Sequence, residues 1–251
     1  MISLRTKNWQ FDNIDTIFFD KDGTFIDLHF FWGKMTEMRC LEIIKRYNLE
    51  ASLLKTLCEF LGYDIDSKKM LSDGITALYS RSKIIEIFWG NLLELGVEIS
   101  ELELAEIFDF VSLEFYKDMM NYTKPIDNAI EFIKKIKSKG IKTAIVTSDS
   151  VESTNLTIKN FGWENLFDYV VGRESSQESK ESGALTKIAL EKLGSNPLNT
   201  LMIGDAPMDY VSAKNAGINN IILVSTGQIA ESELKKISKK TVSSLKEIEV
   251  L

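Results

Sequence analysis

The stretch Ile14-Asp15-Thr16-Ile17-Phe18-Phe19-Asp20-Lys21-Asp22-Gly23-Thr24 decides how the rest of this chain is read. A short apolar run, dominated by β-branched and aromatic residues, ends at a carboxylate, and a second carboxylate and a glycine follow at once. That pattern predicts a buried strand running into a tight loop. Working outward, the apolar spacing becomes helical from about Phe31 to Met120. Met35, Met38, Leu41 and Ile44 recur at helical intervals, as do Ile84, Ile85, Phe88 and Leu92, and then Leu104, Ile107, Phe108, Val111 and Phe115. Ser100 with Glu103 three residues on reads as a capping box at the start of the last of these helices.

Beyond Pro125 helices and short apolar strands alternate. Helices are expected from Asp127, as a cap, to Lys139, over Val151–Phe161, over Gly183–Leu193 and over Met208–Ala216. Strands are expected at 142–147, 168–171, 200–204 and 220–224. Strict alternation argues for a parallel sheet covered on both faces, which the first strand can join. The predicted fold class is α/β: a Rossmann-like parallel core of residues 1–29 and 122–251, with an all-helical cap of residues 30–121 spliced into it. Candidate hinges are Asp27–Phe31 and Tyr122–Pro125.

The 251 residues are 44% apolar and 27% charged, the profile of a globular chain rather than a disordered or fibrous one. Charged residues interrupt every apolar run, so no membrane span is expected. Arg5 and Lys7 have no apolar block behind them, because Asp12 and Asp15 arrive first; a cytoplasmic protein is predicted. Cys40 and Cys58 fall in helical runs and are read as reduced and packed. A net charge of -7 argues against a nucleic-acid partner, although a metal ion can still make one site attractive to a small anion.

Ligands of parallel sheets bind where loops leave the C-terminal strand ends. Those ends deliver Asp20 and Asp22, then Thr147, Ser148 and Asp149, then Gly204 and Asp205 with Asp209 beyond, while Lys180 follows a fourth strand. So many carboxylates in one crevice raise one another's pKa unless a cation joins them, and an all-oxygen donor set points to Mg2+. Mg2+ held by one or two carboxylates is commonly shared with a phosphate, which Thr147, Ser148 and Lys180 would contact. Phosphoryl transfer is therefore the leading chemistry.

These residues resemble the haloacid dehalogenase superfamily, in its phosphoglycolate phosphatase-like branch with a helical cap. Asp20–Thr24 is similar to its DxDGT motif, Thr147 to the second motif, Lys180 to the third, and Gly204, Asp205 and Asp209 to the GDxxxD fourth. The resemblance implies that Asp20 attacks phosphorus to give an aspartyl-phosphate and that Asp22 is the acid and base. It implies Mg2+ on Asp20, the Asp22 backbone carbonyl and Asp205, supported by Asp209, and a cap that closes over the site. The Lys-Pro often found at the third motif is here Lys180-Glu181. The expected function is a Mg2+-dependent phosphatase of a small phosphorylated metabolite such as a sugar, polyol or short hydroxy-acid phosphate. A phosphomutase of the same superfamily and a catalytically silent binding protein are the alternatives. His29, Lys34, Arg39 and Arg81 are further candidates for substrate contact from the cap, set against simple packing or solvation. Phe30, Phe31 and Trp32 are read as cap packing, and the Lys-rich stretch Lys235–Lys246 as a helix surface with no ligand.

Overall fold

A computed structural model describes residues 1–251, and the chain divides into two compact units: Met1–Asp27 with Pro125–Leu251, and Leu28–Lys124. The first unit begins with a hairpin of β1 (Ile2–Arg5) and β2 (Gln10–Ile14), followed by β3 (Thr16–Phe19). All four residues of β3 are buried, as a strand covered on both faces requires.

The second unit contains α1 (Leu28–Arg46), α2 (Leu54–Phe60), β4 (Tyr63–Asp64), β5 (Lys69–Met70), α3 (Ile75–Leu78), α4 (Arg81–Glu94) and α5 (Glu101–Lys117). The Ser100–Glu103 capping box forms, with the Ser100 hydroxyl accepting from Glu103 N and the Glu103 carboxylate accepting from Ser100 N at 2.9 Å. One antiparallel pair, β4 with β5, interrupts the helices. Its Met70 N–H donates to His29 Nδ1 at 3.1 Å, which gives that histidine a structural partner within this unit. Phe31 is buried edge-on against Phe115, while Phe30 remains exposed. Lys34 pairs with Glu37, Arg81 with Asp109, and buried Arg39 lies over the Phe108 ring. Cys40 and Cys58 are free and buried.

The first unit resumes with α6 (Ala129–Ser138), β6 (Lys142–Val146), α7 (Val151–Asn160), β7 (Tyr169–Val171), α8 (Ala184–Leu193), β8 (Thr200–Gly204), α9 (Pro207–Asn215), β9 (Asn220–Val224), α10 (Glu231–Ile237), β10 (Thr241–Val242) and β11 (Glu249–Val250). Six strands form one parallel sheet in the order β10-β9-β8-β3-β6-β7. β3 lies between β8 and β6, with Phe19 opposite both Ile203 and Ile145. The chain therefore leaves β3, β6 and β8 side by side, at the position where the strand order turns.

Three local expectations are corrected. Asp127 does not cap α6: Asn128 holds the N-cap position in the left-handed region at φ 63, with no side-chain cap bond. The Lys-rich stretch 235–246 is not one helix surface, because α10 stops at Ile237 and the chain then turns into β10. The chain ends, where no strand is expected, form a small antiparallel sheet in which Leu4 pairs with Val250.

Candidate active site

The loop after β3 is built by backbone geometry and anchored by aromatic packing. Gly23 at φ +86 lets the chain reverse, so that its N–H reaches Ile26 O at 2.8 Å. Phe25 then inserts against Phe167 and Trp163, with centroids 5.3 and 6.3 Å apart. Asp20 N–H donates to Ile203 O at 2.9 Å, so the first carboxylate stands directly beside the end of β8. Asp205 follows that strand. The N–H of Ala206 donates to Asp209 Oδ2 at 3.0 Å, folding the Asp209 carboxylate back over the first turn of α9.

Asp20, Asp205 and Asp209 are all buried, and each can offer an oxygen within 4.8 Å of the others. Lys180 joins them from a one-turn helix at Lys180–Ser182. Gly183, at φ +82, allows this turn to sit so close to the end of α9 that a Cβ there would meet Asn215 at 2.9 Å. Asn215 Nδ2 in turn donates to Glu181 O at 2.7 Å. The ammonium of Lys180 donates to Asp20 Oδ1 at 2.6 Å and lies 2.5 Å from Asp209 Oδ1, the latter an ion-pair contact off hydrogen-bond alignment.

A second buried lysine, which sequence reasoning left without a role, occupies the other side. Lys21 has no exposed surface, and its Nζ lies 2.8 Å from Asp22 Oδ1 and 2.9 Å from Asp149 Oδ2. Asp149 follows Thr147 and Ser148 at the end of β6. Thr147 is buried, and its hydroxyl accepts from Asp149 N at 3.1 Å. Ser148 is exposed, its hydroxyl 3.7 Å from Met208 Sδ. Four of the five carboxylates thus contact a lysine. Asp205 is the exception, accepting from the Thr24 hydroxyl at 3.3 Å.

Burial dominates the electrostatics. Together with Asp209 and Asp22, and against Lys180, it pushes the Asp20 carboxyl up to about 7. Burial, with Asp20 and Asp209 beside it, also holds Asp205 well above the usual carboxylate range. For Lys180 burial acts downward, but Asp20 and Asp209 outweigh it and hold the ammonium above its ordinary value. Lys21 is raised in the same way by Asp22 and Asp149 against its own burial. Asp149 is lowered, because Lys21 overcomes the burial that would raise it.

A buried carboxylate cluster with one member outside the lysine pairs matches a hard divalent cation, which takes oxygen donors. The surrounding backbone makes the same room. A Cβ on Gly23 would lie 2.3 Å from Asp205 Oδ2, one on Gly227 only 1.7 Å from it, and one on Gly204 2.3 Å from Asp209 Oδ2. Gly227, on the loop after β9, has no sequence signal, since its role exists only through contact with Asp205.

A model of haloacid dehalogenase-like hydrolases matches residues 14–217, a span that contains all five carboxylates and both lysines, with Gly227 beyond it. The chain belongs to the haloacid dehalogenase-like hydrolases. It is 29% identical over 213 residues, 83% of this chain and 80% of the relative, to a protein of Caldanaerobacter subterraneus subsp. tengcongensis provisionally named pyrophosphatase PpaX. To the phosphoglycolate phosphatase of Aquifex aeolicus it is 26% identical over 203 residues, 80% of each chain. Among solved structures, a haloacid dehalogenase-like hydrolase of Streptococcus pneumoniae superposes with a TM-score of 0.60 at 19% identity, covering 92% of this chain and 94% of that one. A Thermotoga maritima protein provisionally described as a β-phosphoglucomutase gives 0.69 at 18% identity, covering 92% and 94%. At that identity the structural likeness shows the shared fold. This haloacid dehalogenase-like hydrolase therefore has the α/β core that the strand pattern predicts.

Proposed function

We propose that this hydrolase is a Mg2+-dependent phosphatase that cleaves a small-molecule phosphomonoester through an aspartyl-phosphate on Asp20. The observation that carries the reading is the buried Asp20 carboxylate, held by Lys180 at 2.6 Å within a cluster that includes Asp205 and Asp209. Asp20, Asp205 and the Asp22 backbone carbonyl would hold Mg2+, with Asp209 supporting Lys180. The bound ion would neutralise phosphate charge that otherwise repels the attacking carboxylate.

Asp20 forms a bond to phosphorus as the bond from phosphorus to the ester oxygen breaks. Asp22, whose side chain is partly exposed beside Asp20, gives its proton to the departing alkoxide. In the second half Asp22 takes a proton from water as the water oxygen attacks phosphorus, and inorganic phosphate leaves with Asp20 restored. Lys180, the Thr147 hydroxyl and the Ser148 backbone N–H would contact the phosphoryl oxygens. The small-phosphate reading is in keeping with the names of the relatives, a pyrophosphatase and a phosphoglycolate phosphatase.

The test is phosphate release from a panel of sugar, polyol and hydroxy-acid phosphates with and without Mg2+, using Asp20→Asn as control. Metal-dependent release that vanishes in the variant is expected. No release from any member refutes the reading, and isomer interconversion without net phosphate points to a mutase.

A further inference from the structure

Lys21 stands out because nothing in core packing requires a charge there. An ammonium with no exposed surface sits between two carboxylates that belong to the ends of two different strands, β3 and β6. A whole buried ion pair can often be replaced by well-packed apolar side chains without loss of stability, so a lysine kept here invites a functional explanation.

One end of its contacts is a fixed post. Asp149 Oδ1 accepts from Ser150 N at 2.7 Å, and its backbone carbonyl accepts from Arg173 N at 3.0 Å. Gly172 packs so closely that a Cβ there would lie 2.7 Å from that same carbonyl oxygen. Ser150 in turn caps α7 by accepting from Ser153 N, which ties the post to a helix. The other end is Asp22, whose side chain retains 13% of its surface. It belongs to the β3 loop, whose backbone reverses at Gly23.

We propose that Lys21, braced by Asp149, is a positioning residue for the acid and base carboxylate of Asp22, an inference that rests on the phosphatase reading above. Asp22 Oδ1 accepts a hydrogen bond from the ammonium at 2.8 Å. That bond ties the Asp22 carboxyl to a point that Asp149 holds in place. Lys21 thereby fixes where the carboxyl stands as the bond from phosphorus to the ester oxygen breaks. Asp149 acts through Lys21 and touches no reacting atom.

The experiment compares two esters in Mg2+: an alkyl phosphate, whose alkoxide must be protonated as it leaves, and an aryl phosphate, whose phenolate leaves without a proton. In a single turnover, Lys21→Met should slow release of the alcohol from the alkyl ester about a hundredfold, in keeping with the worth of a positioned general acid, and release of the phenol from the aryl ester by no more than about threefold, while the later release of phosphate, which needs Asp22 as base whichever ester was used, slows equally for both. Asp149→Asn should show the same asymmetry more weakly, and Lys21→Arg should recover part of the alkyl activity. Should Lys21→Met fail to fold, Asp149→Asn carries the same comparison. Equal slowing of alcohol and phenol release, or no slowing of either, would overturn the inference. So would a crystal structure of Lys21→Met with the Asp22 carboxylate in place. Wild-type protein idle on both esters would instead refute the phosphatase reading, and this inference with it.

Discussion

Replacing Gly227 with alanine tests the carboxylate cluster at one atom. The added Cβ would lie 1.7 Å from Asp205 Oδ2 and 2.6 Å from its Cγ, against an ordinary contact of 3.4 Å or more, so the carboxylate must retreat by about 1.7 Å. Mg2+ tolerates little of that, since it demands oxygens within about 0.2 Å of roughly 2.1 Å in near-octahedral array. Gly227 is not among the left-handed glycines, so alanine brings no backbone strain; Gly23, at φ +86, would confound the same experiment. The expected result is a rise of about 10- to 100-fold in the Mg2+ concentration giving half-maximal phosphate release, about 1.4 to 2.8 kcal/mol. Calorimetric Mg2+ titration should show the same loss, with the thermal midpoint of the metal-free protein little changed. A Gly227→Ala protein with half-saturation within about twofold of wild type would refute the assignment of Asp205 as a ligand.

Three further outcomes follow from the same geometry. Gly90 sits inside α4 with nothing within 4 Å of an added Cβ, so Gly90→Ala should raise the free energy of unfolding by about 0.5 to 1 kcal/mol, and with it the denaturation midpoint, and leave catalysis unchanged. An unchanged or lower midpoint would contradict it. Asp20 titrates at about 7 when folded, against 3.8 as an unperturbed group, so metal-free folded protein retains a proton that the unfolded chain has released. Its contribution to stability is then full below about pH 4 and is lost as pH rises through about 7. Because Mg2+ competes with that proton, the thermal shift it produces should grow between about pH 5 and pH 7.5. A shift independent of pH would count against the cluster. Cys40 and Cys58 are fully buried, and burial, with Cys58 against it, pushes the Cys40 thiol up. Both should resist a thiol reagent in native protein and react on unfolding; rapid native labelling of either would be inconsistent with the packing.

Signals local in the sequence were the legible ones. The run into Asp20 declares its own strand and loop, and Ser100 with Glu103 declares its own helix start, because the groups that satisfy one another lie within a few residues. The Leu4–Val250 pairing joins opposite ends of the chain, and β1 and β11, at four and two residues, are too short for the alternation of Ile2-Ser3-Leu4-Arg5 to declare a strand. Asn128 displaces Asp127 from the cap because its backbone takes the left-handed conformation, a choice made by how the chain enters α6. Asp20, Asp22, Lys180, Asp205 and Asp209 are visible as a pattern of strand ends. Gly227 and the Lys21–Asp149 pair become meaningful only when β9 and β6 bring their loops beside Asp205 and Asp22. Gly172 likewise gains its purpose from the backbone of Asp149.

Acid-quenching the protein during turnover with Mg2+ and a hydrolysable ester, then mapping peptides by mass, interrogates Asp20 itself. The peptide holding Asp20 should carry the mass of one phosphoryl group, and the label should be absent from Asp20→Asn. Steady phosphate release with no label on Asp20, or release by Asp20→Asn at the wild-type rate, would contradict Asp20 as the nucleophile.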